Sequence, residues 1–230
     1  MDEDVTAGDD QTSSADRAYA EIQRLIVTGV LPAYELLSEN DLTRRTGSGR
    51  TPVREALQRL KFEGFVNILP RRGVMVTPAD IDRQLELLEA RRPLEELMVT
   101  LAARRATEAQ RDRMRQLADA LERAIAARDR DRYLTINQAI HRIEAEATQN
   151  RYLLRQIEVL HGLSRRFWYF FINDTESFAR AAVHHTGTLR AISDGDAERA
   201  RTQCRLLLDL LESVSQRAIQ DRLRTGPRTG

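Results

Sequence analysis

The positions of glycine and proline constrain this chain more than any other feature. Both residues cluster between positions 29 and 78 and then become rare until the last few residues. From 79 to about 222, apolar residues recur with the 3.6-residue period of amphipathic helices, and only short breaks interrupt them. The change predicts a mostly α protein with a small mixed domain over 16–78 and an all-helical domain over 79–222.

The two ends of the chain differ in composition from the rest. Residues 1–15 contain five acidic residues and no basic residue, which predicts a disordered acidic tail, and residues 223–230 are predicted to fray. The N-terminus lacks the regions of a secretory signal, and no apolar run approaches the roughly 18 residues of a membrane span. Cys204 is the only cysteine. We therefore expect a cytoplasmic protein without a disulfide and without a membrane partner.

Signals for three short helices and a hairpin occupy the first domain. The first helix is predicted over 17–28, and Ser38 is predicted to cap the second. A glycine-rich turn over 47–49 leads to the third helix, which Thr51 is predicted to cap. Two short β-type runs then flank the turn over 70–73 and predict a hairpin. This order is the plan of a winged helix-turn-helix domain.

Positive charge is concentrated in the same region. Between 40 and 75 there are eight basic and three acidic residues, although the whole chain carries a formal net charge of only +1. Arg50 and Arg54 are four residues apart, so they project from one face at the start of the third helix, the part that enters the major groove. Arg71 and Arg72 lie at the hairpin tip, within reach of the neighbouring DNA backbone. A solvated basic face is the alternative, but the helix-turn-helix plan favours binding to double-stranded DNA.

Several stretches of the first domain resemble the GntR family of bacterial transcription regulators. They are Leu36-Leu37-Ser38-Glu39-Asn40-Asp41-Leu42, Arg50-Thr51-Pro52-Val53-Arg54-Glu55-Ala56-Leu57 and Pro70-Arg71-Arg72-Gly73-Val74-Met75-Val76. The resemblance implies that Arg50, Thr51 and Arg54 contact DNA and that Gly73 belongs to the wing. In this family Ser or Thr usually stands where Gly49 lies. Because one winged helix reads only a few base pairs, we expect a homodimer on a short inverted repeat.

Six amphipathic helices are predicted in the second domain, and their short connections favour an antiparallel bundle. The first of them is predicted to start at a cap on Asp80. Asn137 and His141 are four residues apart beside the apolar stripe of the third of these helices, and His185 lies on the buried face of the fifth. These three residues can either bind a metal or be core polar residues satisfied by hydrogen bonds. The spacing favours the second interpretation.

The second domain resembles the effector domain of the FadR subgroup of the same family. The resemblance rests on Arg91 with Leu94-Glu95, on Asn137 to His141, and on His185 with Ala191-Ile192 and Gly195-Asp196. Many relatives carry an Asp and three His that bind a divalent metal. Here Asn137 stands for the Asp and Leu207 for the last His, which leaves Asn137, His141 and His185 as an incomplete candidate site for a metal of the zinc or nickel class. This set is a poor one for a tightly held ion, so no cofactor is assigned, and metal-free relatives imply direct effector binding.

Cationic side chains near the predicted pocket indicate the kind of effector. Arg91 lies near the apolar face of its helix, and Arg165 and Arg166 precede an aromatic run over 167–171. A cationic Arg beside apolar walls suits a small organic acid. The candidate effector-binding residues are Arg91, Asn137, His141, Arg166 and His185.

The predicted function is a ligand-responsive transcription regulator, in the commoner mode a repressor, that a small metabolite releases from its operator or modulates on it. The chain is not predicted to be an enzyme. One alternative is a metal-dependent enzyme on the helical bundle, with Glu144, one turn from His141, as general base; a solvated or hydrogen-bonded Glu144 is expected instead. A second alternative is a DNA-binding protein without an effector, for which a dry core at His141 and His185 would be evidence.

Overall fold

The computed structural model describes residues 13–172 and 174–225 of the chain. The chain forms two compact units, divided between Ala79 and Asp80. Most of the predicted acidic tail, residues 1–12, lies outside the described residues, as do residues 226–230 of the predicted frayed end.

The described residues of the first unit form three helices and a three-stranded antiparallel sheet. In chain order its elements are α1 (Ser14–Val27), β1 (Leu36–Leu37), α2 (Glu39–Thr46), α3 (Arg50–Phe62), β2 (Val66–Leu69) and β3 (Gly73–Val76). The strand order is β1-β3-β2, so β3 pairs with both other strands. This is the predicted winged helix-turn-helix fold. Strand β1 was not predicted, because two residues are too few to leave a pattern in the sequence.

The first two helices begin at hydroxyl caps. α1 begins at Ser14 because the Ser13 hydroxyl accepts the N–H of Asp16, so positions 14 and 15 of the predicted tail are helical. In α2 the predicted cap is confirmed. Ser38 Oγ accepts the N–H of Asp41, and the Asp41 carboxylate accepts the N–H of Ser38. The two bonds form a reciprocal capping box.

The third helix begins two residues earlier than a cap at Thr51 would place it. Gly47 ends α2 in the left-handed conformation, with a φ of +64°. Gly49 then takes the extended conformation of a cap residue, and Arg50 is already helical. The predicted cap at Thr51 is therefore wrong, and no side chain caps α3.

The second unit consists of the predicted six-helix bundle. Its helices are α4 (Gln84–Arg105), α5 (Glu108–Ala126), α6 (Arg130–Ala147), α7 (Arg151–Phe171), α8 (Thr175–Ser193) and α9 (Ala197–Thr225). α4 begins later than predicted, because Asp80 Oδ1 accepts the N–H groups of Asp82 and Arg83 in a turn before the helix. α9 continues to Thr225, so residues 223–225, predicted to fray, are helical.

The helices of the second unit enclose one hydrophobic core. α9 packs against α4 and α8, α5 packs against α6 and α8, and α4 also packs against α6 and α7. Leu121, Ile140, Leu189 and Ile192 are fully buried in this core. Polar residues on the inner faces of α4, α6, α7 and α8 interrupt it and surround a cavity. None of the helices formed by the described residues is long and apolar enough to cross a membrane.

Candidate DNA-binding surface and ligand pocket

The helical residues predicted to contact DNA lie on the surface of the first unit. Arg50, Thr51 and Arg54 are exposed in the first turns of α3. The cap residue Gly49 has no side chain that could accept the first backbone N–H groups of α3. These N–H groups therefore suit a phosphate oxygen. The arrangement is that of the exposed start of a recognition helix.

Arg54 forms an ion pair with Glu39 of the same chain. Its Nε donates to Glu39 Oε2 at 2.7 Å, and the two side chains are 65% and 39% exposed. An ion pair this open to water contributes little free energy. A base edge in the major groove can therefore replace the Glu39 carboxylate at small cost.

The tip of the wing turns through Pro70 and Arg71. The Arg72 N–H donates to the Leu69 carbonyl oxygen at 3.0 Å and closes the turn. Arg71 has a φ of +60°, a left-handed conformation that suits glycine and costs other residues about 1–3 kcal/mol. Arg71 and Arg72 are both exposed. A charged side chain kept at a strained, exposed tip favours a functional role for that side chain.

Gly73, which the family resemblance places in the wing, is required there for a steric reason. Its φ is +116°, and a Cβ at this position would lie 2.5 Å from the Leu37 carbonyl oxygen. The close approach occurs where β3 passes β1. Gly73 therefore sets how the wing packs, whatever its own contacts with DNA.

A cavity lies within the second unit, with about 370 Å³ of space counting the part open to solvent. The residues that line it are Arg91, Tyr133, Leu134, Asn137, His141, His161, Ser164, Arg165, Trp168, His185 and Leu211. The lining includes two arginines and no carboxylate. A ligand in this cavity therefore meets positive charge, hydrogen-bonding groups and apolar walls.

Asn137 and the two predicted histidines meet at the cavity wall. Asn137 Nδ2 lies 3.0 Å from His185 Nε2, and the ring centroids of His141 and His185 are 5.1 Å apart, edge to face. His141 Nδ1 lies 3.5 Å from Glu144 Oε2, yet it is buried without a hydrogen bond. Asn137 and His185 are therefore core polar residues satisfied by a hydrogen bond, as one interpretation of the sequence expected. His141 is not.

Sequence reasoning missed a third histidine in the cluster. The ring centroid of His161, on α7, lies 3.8 Å from that of His141, and His161 is 2% exposed. A signal for it exists in the sequence. Leu153, Ile157, His161, Ser164 and Trp168 follow one another at spacings of three and four, which marks the inner face of a helix.

Arg91, which lines the cavity, forms an ion pair with Glu95, which does not. Both residues are 2% exposed. Arg91 Nε and Nη2 lie 2.6 Å and 2.5 Å from Glu95 Oε1, and Nη1 donates to Ser164 Oγ at 2.5 Å. The same Glu95 oxygen lies 3.0 Å from His161 Nε2. Glu95 thus balances the charge of Arg91 and orients His161.

Burial favours the uncharged forms of the other titratable groups of this cluster. It lowers the pKa of His141 and His161 well below the ordinary value and lowers that of His185 to about 4. It raises the pKa of Glu144 well above the ordinary value, and the nearby Glu95 adds to the rise. At neutral pH the three imidazoles are therefore neutral, and burial favours the protonated form of Glu144. Glu144 is 2% exposed, which excludes the solvated alternative.

The arrangement of the cluster does not fit a metal ion. Glu95 engages His161 Nε2, Asn137 faces His185 Nε2, and the His141 ring lies against the His161 ring. Within residues 13–172 and 174–225, no group of three His, Cys, Asp or Glu side chains is placed to hold a metal. Asn137, His161 and His185 use these donor atoms for hydrogen bonds instead.

Two residues singled out from the sequence lie away from the cavity wall. Arg166 is buried but does not line the cavity, whereas Arg165 does. Leu207 is buried in the core, and Leu211, one turn further along α9, lines the cavity. Because a helix turns by about 100° per residue, a neighbour in sequence points in another direction.

Two family models match the chain. The model described as bacterial regulatory proteins, gntR family, matches residues 14–76, and that of the FCD domain matches residues 86–210. The first match corresponds to the winged helix-turn-helix, and the second spans most of the helical bundle.

Curated relatives are similar over part of their length. An uncharacterized HTH-type transcriptional regulator from the TAR-I ttuE-ttuC' intergenic region of Agrobacterium vitis is 40% identical over 84 residues, 34% of this chain and 49% of that protein. The Nta operon transcriptional regulator of Aminobacter aminovorans is 36% identical over 74 residues, 32% of this chain and 35% of that protein. The chain thus spans half or less of the length of these relatives.

Solved structures share the fold over nearly the whole chain. E. coli McbR/YncC has a TM-score of 0.71 at 22% identity, over 92% of this chain and 99% of that one. A transcriptional regulator GntR from Rhodococcus sp. RHA1 has a TM-score of 0.66 at 20% identity, over 91% and 99%. The FCD match alone covers more than half of the chain. The chain therefore belongs to the GntR family of bacterial regulatory proteins, in the FadR-type arrangement of an N-terminal GntR domain and an FCD domain.

Proposed function

We propose that this chain is a cytoplasmic transcription repressor that a small carboxylate effector releases from its operator. The observation that carries the proposal is the combination, in one chain, of exposed arginines on a winged helix-turn-helix with a polar cavity inside a helical domain. The first feature suits double-stranded DNA. The second suits a small molecule, and family membership supports both assignments.

We further propose that the protein acts as a homodimer on a short inverted repeat. One winged helix contacts too few base pairs for useful specificity, and a two-fold axis pairs two reading heads on a palindrome. Sedimentation velocity of the full chain is expected to show a dimer at micromolar concentration. A monomer both alone and with operator DNA contradicts the proposal.

The DNA-binding residues are tested by three substitutions. Arg50→Ala and Arg54→Ala are each expected to weaken operator binding by about 1–3 kcal/mol and to relax specificity at the contacted base. Arg71→Gly is expected to weaken binding to operator and random DNA alike, as loss of a phosphate contact does. Because glycine suits the left-handed φ of +60° at this position, that loss would come from the side chain and not from the fold. Fluorescence anisotropy at one salt concentration measures both duplexes.

Lys61→Ala is the matched control for these substitutions. Lys61 is exposed near the opposite end of α3, so its loss should leave the discrimination between operator and random DNA unchanged. The operator itself is obtained by selecting random duplexes on the full chain. Unchanged operator affinity of Arg54→Ala would refute the recognition-helix assignment.

The effector is proposed to bind without a metal, in contact with Asn137, His141, His185 and Arg165. A metal-dependent enzyme on the same bundle is less well supported, since no group of three metal-binding side chains comes together within the described residues. A DNA-binding protein without an effector is also less well supported, because the cavity wall is polar rather than dry and apolar.

A further inference from the structure

Two nitrogen atoms of the cavity-lining residues have no hydrogen-bond partner. Trp168 Nε1 and His141 Nδ1 are both buried, and neither is bonded within the described part of the chain. The two residues are 6% and 7% exposed, and both line the cavity. Buried polar groups are nearly always satisfied, so two such atoms in one cavity wall indicate a ligand or ordered water that satisfies them.

Several other nitrogen atoms of the wall are already engaged. All three guanidinium nitrogens of Arg91 have partners in Glu95 and Ser164, His161 Nε2 faces Glu95, and His185 Nε2 faces the Asn137 amide. Glu95 already neutralises the Arg91 charge inside the core, so a second anion at the remaining guanidinium N–H groups gains little from that charge. The expected salt bridge between Arg91 and the effector is therefore disfavoured.

The chemistry of Trp168 Nε1 and His141 Nδ1 indicates which chemical group of a ligand would bind them. An indole N–H can only donate, and a histidine ring can donate through Nδ1. A carboxylate supplies two acceptor oxygens for two such donors. No carboxylate lines the cavity to repel it, and Arg165 adds positive charge to the wall.

We propose that Trp168 Nε1 and His141 Nδ1 anchor the carboxylate of the effector, an inference that rests on the proposed function. Arg91 is a positioning residue, which holds Glu95 and through it His161. Tyr133, Leu134 and Leu211 supply the apolar part of the lining. We therefore expect the effector to carry an apolar group beside these three side chains, and simple monocarboxylates are the first probes.

The single tryptophan makes the proposal directly measurable. Trp168 is the only tryptophan of the chain, so the ¹⁵N-labelled full-length protein gives one indole N–H resonance. The probes are the straight-chain monocarboxylates from acetate to octanoate, each with its primary amide as the uncharged control, with and without EDTA. Binding of a carboxylate is expected to move the indole proton downfield and to saturate. The amide is expected to bind at least about tenfold more weakly, since it lacks the charge.

Substitutions provide a second test by calorimetry. Trp168→Phe keeps an aromatic ring beside Phe178 and removes the N–H, and it is expected to weaken binding about tenfold. Tyr169→Phe is the matched control, because it removes a hydroxyl at the next position, which does not line the cavity. His141→Leu is expected to weaken binding by a similar factor. His184→Leu is its control, because His184 faces Gln203 outside the cavity.

Three outcomes would overturn the anchor, and they differ in what they imply for the proposed function. If a carboxylate binds and releases operator DNA, but the indole resonance stays in place and Trp168→Phe binds it equally well, the anchor is wrong and the proposed function stands. If binding is lost in EDTA, a metal holds the ligand and the anchor is wrong. If no carboxylate of the series binds or releases the operator, the carboxylate part of the proposed function fails together with the anchor.

Discussion

Gly73→Ala is expected to lower the free energy of unfolding of the first unit by about 3 kcal/mol. The added Cβ would lie 2.5 Å from the Leu37 carbonyl oxygen, and alanine would have to hold a φ of +116°. The obstacle is backbone in a paired strand, so it cannot rotate away as a side chain can. Hydrogen exchange of the full-length protein, followed in peptides from β1 and β3, measures the loss of protection.

Gly64→Ala separates the two causes of this loss. Gly64 also has a positive φ, of +82°, but nothing lies within 4 Å of the position that its Cβ would take. Only the conformational cost remains, about 1–2 kcal/mol. Equal destabilisation by both substitutions would show that contact with Leu37 is not what requires glycine at position 73.

Glu95→Ala is expected to destabilise the second unit by about 3–5 kcal/mol, because it leaves the Arg91 guanidinium buried without its counter-charge. The double replacement Arg91→Met with Glu95→Met removes both charges and is expected to recover most of the lost stability. Thermal unfolding of the three proteins measures both effects.

The next residue along the helix is the control for the charged pair. Glu96 pairs with Arg205, whose side chain is 53% exposed, and water can replace that contact. Glu96→Ala is therefore expected to change stability far less than Glu95→Ala. Similar losses from the two substitutions would contradict the buried-pair interpretation.

The first unit could be predicted well because its signals are local. Ser38 and Asp41 form their capping box over three residues, and the hairpin closes around Pro70. The sequence did not reveal β1, since its two residues form a strand only by pairing with β3, nearly forty positions later. It also misplaced the cap of α3, because a hydroxyl at Thr51 is a stronger signal than the backbone conformation of Gly49.

The pocket could be predicted only in part, because its contacts join separate helices. The Asn137 and His141 spacing and the inner position of His185 were enough to bring those three residues together. His161 meets Glu95 across 66 positions of the chain, which no local pattern specifies. The partner of Arg91 was within reach of sequence reasoning, since Glu95 lies one helical turn away at the spacing of an intrahelical ion pair.

The buried pair of Arg91 and Glu95 also limits how this pocket can evolve. Replacement of either residue alone passes through a protein with one uncompensated charge in its core, whereas replacement of both by apolar side chains does not. Positions 91 and 95 are therefore expected to covary among relatives with this pocket, with both charges present or both absent. A lineage that loses the pair also frees His161 Nε2 from Glu95, and that nitrogen then becomes available for a new ligand contact.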